Sequence, residues 1–169
     1  LKHAEQPTIH ITGLYNPTSN SQNLDLVAEF SQAQLAVLEP FVTKVFSELK
    51  GELTGRFYIK GPLKEPQIDG KGILENMTVK FTYLNALYNG EGVINCIKNN
   101  IEIERLHLSD DQEGQVDLRG KVYHTYFKDF RLDLAGDVNK LKVLNTKYED
   151  NEYFYGKGIV TGNITFSGA

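Results

Sequence analysis

The chain has 169 residues and a formal net charge of −4, from 22 acidic against 18 basic side chains. That length holds one domain or a little more, and plentiful Gly (15), Tyr and Phe (9 each), with Trp absent, suit an all-β chain. No dense basic run marks a nucleic-acid partner or a membrane surface, and no apolar run approaches the ~20 residues of a membrane helix.

In chain order, Thr8–Thr12 reads as a strand ended by Gly13, and Asn16–Asn23, polar with Pro17, as a turn or loop. Asn23–Phe30 alternates, with Leu24, Leu26, Ala28 and Phe30 on one side. The period then changes. Across Gln32–Leu49, Leu35, Leu38, Val42, Val45, Phe46 and Leu49 recur at spacings of three and four, a helical stripe. Ser31 is placed to cap it, Pro40 to divide it into a helical pair, and Gly51 to close it.

Lys50–Gly61 is the clearest strand, with Leu53, Gly55, Phe57 and Ile59 in one row and Glu52, Thr54, Arg56, Tyr58 and Lys60 in the other. Pro62–Pro66 is a stiff turn. In Gln67–Leu84, Ile68 and Leu74 have even parity while Met77, Val79, Phe81 and Tyr83 have odd parity, which predicts a bulge near Glu75-Asn76. Asn85–Asn89 turns, Gly90–Ile97 is a strand, and Lys98-Asn99-Asn100 turns again. Ile101–Leu108 changes parity between Ile103 and Leu106, a second bulge. Ser109–Gly114 is a hairpin turn, Gln115–Tyr126 and Phe130–Val138 are strands, Leu141–Asn145 reads as a helical turn, Lys147–Phe154 as loop, and Gly158–Ser167 as the last strand. The sum is about ten strands in mostly hairpin order with one helical pair.

The chain repeats itself. Lys157–Gly168 (KGIVTGNITFSG) laid without gaps on KGELTGRFYIKG keeps five residues of twelve, where average usage gives roughly one. The offset of 107 extends upstream, where Ile9–Gly13 meets Val116–Gly120 and Leu24-Asp25-Leu26 meets Leu132-Asp133-Leu134 after one insertion. Residues 7–61 are thus echoed by 114–168, with 62–113 between, and the chain reads as a fragment of a longer β array.

No constellation supports catalysis or a cofactor. His3, His10, His107 and His124 stand alone, without ligand spacing to a second metal-binding type. Asp110-Asp111-Gln112-Glu113-Gly114 lacks the alternating oxygens of a calcium loop and reads as a turn. The single cysteine, Cys96, lies between Ile94 and Ile97 and reads as a small core residue. Strands with one apolar face each must be covered, either by a second sheet or by curling of the sheet on itself, which leaves an apolar trough that the helical region can plug at one end.

Leu38–Phe41 (Leu-x-Pro-Phe) followed by Gly-x-Leu-x-Gly-x-Phe-x-Ile-x-Gly-Pro-Leu-x-x-Pro-x-Ile-x-Gly (Gly51–Gly70) resembles the TamB-like proteins, relatives of the AsmA and bridge-like lipid-transfer proteins. Leu144–Gly162 is similar to forms from Bacteroidetes-type bacteria. The resemblance covers about Asp25 to Gly168 and carries over no catalytic residue. It implies an all-β fold, a long curled antiparallel sheet with an apolar trough and one short helical pair. It implies a periplasmic segment of a parent anchored in the inner membrane, which supports phospholipid transfer and outer-membrane protein assembly. The implied partners are phospholipid or acyl chains and, through the parent chain, an outer-membrane barrel assembly protein. The membrane anchor and the extreme C-terminal segment are expected to lie outside this fragment.

On this reading the inward row lines the groove: Leu53, Phe57, Ile59, Met77, Val79, Phe81, Ile101, Ile103, Val116, Leu118, Leu132, Leu134, Val160, Ile164 and Phe166. The rival is a closed β-sandwich, a structural or carbohydrate-binding module in which Tyr83, Tyr88, Tyr123, Tyr126, Tyr153 and Tyr155 form exposed sugar-stacking patches. A third reading uses open end strands to receive unfolded outer-membrane strands by β-augmentation.

Overall fold

The computed structural model describes residues 7–19, 22–39, 46–82, 84–98, 100–126, 128–149 and 155–168. Nine strands follow one another: β1 (Thr8–Tyr15), β2 (Leu24–Gln34), β3 (Phe46–Gly61), β4 (Gln67–Phe81), β5 (Ala86–Lys98), β6 (Asn100–Ser109), β7 (Gln115–Thr125), β8 (Lys128–Thr146) and β9 (Gly156–Gly168). They form one antiparallel sheet in sequence order, β1 at one edge and β9 at the other. The architecture is a single curled sheet, so the two-sheet sandwich is not this fold.

Most of the irregularities that bend the sheet lie in the even-numbered strands, with one in β3 between Phe46 and Glu48. In β4, Glu52↔Glu75 and Lys50↔Thr78 leave two residues of β4, Asn76 and Met77, against one of β3, Gly51, with Asn76 at φ 49°. The extra residue keeps Leu74 and Met77 on one face although their parity differs, as the sequence indicates. A bulge in β6 lies between Ile103 and Leu106, again where the parity changes. Two more lie in β2, between Phe30 and Ala33, and in β8, between Val138 and Leu141. Each bulge adds local twist and bends its strand, which is how a flat ribbon becomes a curl.

These bulges also explain where helix was expected and strand is found. A bulge places residues three apart on one face, so Phe30/Ala33 and Val138/Leu141 mimic helical spacing. Leu141–Asn145 is accordingly part of β8 and not a helical turn. Of the expected helical pair, the described residues hold a 3-10 helix at Leu35–Leu38, whose own period of three produces the first half of the stripe, followed by helical Glu39. Leu49 lies in β3, paired with Val79, because that stretch finds a partner strand on the β4 side. Pro40, Val42 and Val45 lie outside the described residues.

The curl closes at one end. Strands β5 and β8, three places apart in the sheet, meet there: the Tyr88 hydroxyl donates to the Lys142 carbonyl (2.7 Å) and the Asn145 N–H to the Leu84 carbonyl (2.9 Å). Leu35 is tucked into the same end, 2% exposed, in one cluster with Leu49, Val79, Ala86, Tyr88, Leu108 and Leu141.

Tight curvature on the inward face also needs missing side chains. A Cβ on Gly90 of β5 would lie 1.9 Å from the His107 carbonyl oxygen of β6. Gly90→Ala therefore forces the β5–β6 pair apart and is expected to cost about 1–3 kcal/mol in urea unfolding; an unchanged midpoint and slope would show that these strands are not so closely apposed.

Candidate functional site

Pairing registers define the inward face row by row. Phe57 stands level with Ala28 and Gly70, then Cys96, Ile101, Val122 and Leu132 across the sheet. The next rows are Phe30, Gly55, Gly72, Ile94, Ile103, Gly120, Leu134 and Phe166, then Ala33, Leu53, Leu74, Gly92, Leu106, Leu118, Gly136 and Ile164. Beyond the bulges come Met77, Gly90, Leu108, Val116 and Val138, then Leu49, Val79 and Tyr88, with Leu141 against Val160. Every residue of the inward row named above falls on this one face. The opposite face carries the ion pairs Arg56–Glu29, Lys71–Glu104 and His107–Asp117 (the last at 3.0 Å), all substantially exposed and worth little individually.

Burial on the apolar face falls in two directions. At the closed end it is complete: Leu53, Met77, Val79 and Val116 are buried in the core, and burial reaches as far as Phe57 in the row of Ile101 and Val122. Toward the other end, Ile59, Ile68, Ile101 and Val122 are half-buried. Toward the edges, Ile9, Ile11, Leu132 (41%) and Phe166 (50%) are exposed. Phe81, Ile103, Leu118, Leu134, Val160 and Ile164 are intermediate. The arrangement is a one-ended trough, filled by its own side chains at the Leu35 end and open at the Ile59–Ile68 end.

Sequence reasoning missed residues that close the trough, namely Ala86, Tyr88, Leu108, Val138 and Leu141, while Leu35 belongs to the region expected to plug one end. Leu108 and Val138 share the inward parity of Leu106 and Leu134 and were findable from it. Leu141 was hidden by the bulge before it. Tyr88 corrects the sugar-patch reading, since it is 3% exposed and not on the surface, and burial together with the Asp110 charge pushes its hydroxyl up to about 12. Tyr123 holds the Arg131 guanidinium 4.6 Å over its ring, Tyr155 packs edge-on to Tyr148, and Tyr83 and Tyr153 lie outside the described residues.

The Ser109–Gly114 turn does more than reverse the chain. Asp110 is buried; its Oδ1 accepts from the Gln112 and Gly114 N–H groups (2.8 Å each) and its Oδ2 from the Lys142 N–H of β8 (2.7 Å). Burial works to raise its pKa, but those three backbone donors and the Lys142 charge outweigh it and hold the carboxyl below the usual value. Beside it the Lys142 ammonium pairs with Asp111. The carboxylate is thus a staple between the β6–β7 turn and β8.

His124 is buried and its pKa is lowered by that burial. Cys96 is half-buried on the inward face, its thiol pushed up to about 11 by burial and by Asp69. Among the described residues no group of three or more His, Cys, Asp or Glu side chains is placed to hold a metal ion, and no helix is long and apolar enough to cross a membrane.

Residues 104–169, from within β6 through β9, match the family model described as TamB, the TamB C-terminal domain. No curated protein and no solved structure matches the chain.

Two outcomes test the clasp. Asp110→Ala strands the Lys142 and Gly114 N–H groups and is expected to cost about 3 kcal/mol, the upper range for bonds to a charged acceptor; Tyr88→Phe removes one neutral bond and is expected to cost about 1 kcal/mol. Because the folded carboxyl is depressed, its contribution is complete above the unfolded pKa of about 3.9 and is lost as pH falls through the lower folded value. Melting curves from pH 6 downward should therefore converge for native chain and Asp110→Asn below about pH 4; a constant gap between them would remove Asp110 as the titrating group.

Proposed function

We propose, on the premise that this is a TamB-like protein, that its curled apolar face is a groove for the acyl chains of phospholipids. The observation that carries the reading is one face, apolar across the rows from Phe57 to Leu49, on a single sheet whose edges do not meet at the Ile59–Ile68 end. An acyl chain left in water costs about 0.8 kcal/mol per methylene, so a sixteen-carbon chain costs roughly 13 kcal/mol. A trough removes that cost along its length without any specific polar site.

The packed end has no room to spare, so the hydrocarbon lies at the open end, over Ile59, Ile68, Ile101, Val122, Leu132 and Phe166. The charged outer face stays in water, which suits a segment crossing the periplasm between an inner-membrane anchor and the outer membrane. In the parent chain this groove serves phospholipid transfer and, with a barrel partner, outer-membrane protein assembly. The carbohydrate reading has lost its support, since the sheet is single and Tyr88 is inside it.

Organic extraction of the purified chain followed by mass spectrometry is expected to find phospholipid or fatty acid. Leu132 and Phe166 are exposed enough to change without unfolding the sheet, so the double change Leu132→Asp, Phe166→Asp should lower bound lipid about tenfold or more with little change in Tm. A lipid-free chain, or equal lipid on the native and doubly changed proteins, would remove the groove reading.

A further inference from the structure

Phe57 stands where the apolar face changes character. Along β3 it is the last buried side chain toward the open end, 7% exposed, whereas Ile59 is half-buried. Across the sheet its row runs through Gly70 and Cys96 to Ile101, Val122 and Leu132, which are half-buried or exposed. Hydrocarbon lying on Ile101 and Val122 and extended along that row meets the Phe57 ring.

The ring rests on a floor without side chains. Gly70 is level with Phe57, and Gly72 with Gly55 in the next row. A Cβ on Gly70 would lie 2.9 Å from the Cδ1 of the ring, and one on Gly72 3.0 Å from its Cζ. The ring therefore spans both glycines and fills the space that their missing side chains leave. Phe30 of β2 braces it edge-on, with ring centroids 5.7 Å apart and planes at 81°. Glycine inside a strand costs conformational entropy and marks a place where another group comes close. In β4 that group is the Phe57 ring, and on its other flank the floor stays low because Cys96 is small.

We propose that the Phe57 ring is the wall at which bound hydrocarbon ends, and that its size sets the length of acyl chain the trough accepts. The inference rests on the groove reading above and adds the residue that discriminates among its ligands. Each methylene that finds apolar surface strengthens binding about fourfold. Affinity therefore climbs with chain length until the hydrocarbon reaches the ring, then levels, since further methylenes stay in water. Phe57→Leu removes about three carbons and Phe57→Ala about six, which bares Gly70 and Gly72 and moves the levelling point to longer chains by about those numbers. Phe57→Trp adds bulk and moves it to shorter ones.

The test titrates the whole chain and its variants with saturated single-chain phosphocholine lipids of increasing length, below their micelle-forming concentrations. Cys96, the one cysteine of the chain, reports occupancy, because hydrocarbon that reaches the wall covers it and slows alkylation of its thiol. Expected are a levelling point that shifts in the order Trp, Phe, Leu, Ala, and slowed alkylation of Cys96 in each lipid-bound form. Should Phe57→Ala fail to fold, Phe57→Leu and Phe57→Trp, which keep a large apolar group, carry the comparison. Binding that levels at the same length in the native chain and every variant, or that leaves Cys96 alkylation unchanged, would overturn the wall while leaving lipid binding itself intact. No binding of any length by any of the proteins would overturn the groove and the wall together.

Discussion

One carboxylate decides the shape of this sheet. A nine-stranded antiparallel ribbon in sequence order has no intrinsic reason to bring its fifth and eighth strands together. Asp110 supplies one, because the Oδ2 of its buried carboxylate is met by the Lys142 N–H reaching it from β8. The same Lys142 peptide accepts the Tyr88 hydroxyl through its carbonyl. Both polar groups of one residue are thus spent on closing the curl, and a buried acceptor left without its donors costs more than the bond itself contributes. The bulges in β2, β4, β6 and β8 make the curvature possible, and the clasp fixes where it stops.

From that closure follows the gradient on the apolar face. Where β5 and β8 meet, the inward side chains pack on one another and on Leu35, and the interior there is an ordinary dry core. Away from the clasp the walls diverge and the same kind of side chain is left half in water. Burial is divided along the strands: the closed end packs the core, and the open end leaves apolar surface partly in water. The outer face, laced with exposed ion pairs, contributes solubility more than energy.

Much of this was legible in the residues. Alternation in Lys50–Gly61 and the parity changes at Glu75-Asn76 and between Ile103 and Leu106 gave strands, faces and two of the bulges, because side-chain period two is a local property of a strand. The inward row followed from the same property. What was not legible was long-range. The bulges in β2 and β8 put residues three apart on one face, which in one dimension is indistinguishable from a helical turn, so Leu141–Asn145 was read as helix. Leu49 was likewise drawn into a helical stripe whose beginning is a 3-10 helix. Tyr88 and Asp110 looked like surface residues of two turns, and only the approach of β8 makes them interior.

The central claim is that the apolar face is sealed at one end and open toward its other end and edges. Methyl relaxation by a neutral, water-soluble paramagnetic agent reads this directly, residue by residue. Strong broadening is expected at Ile9, Ile11 and Leu132, and little at Leu53, Met77 and Val116. Uniform protection of all six would mean a fully enclosed core, and uniform broadening a flat sheet without a clasp; either pattern contradicts the one-ended trough.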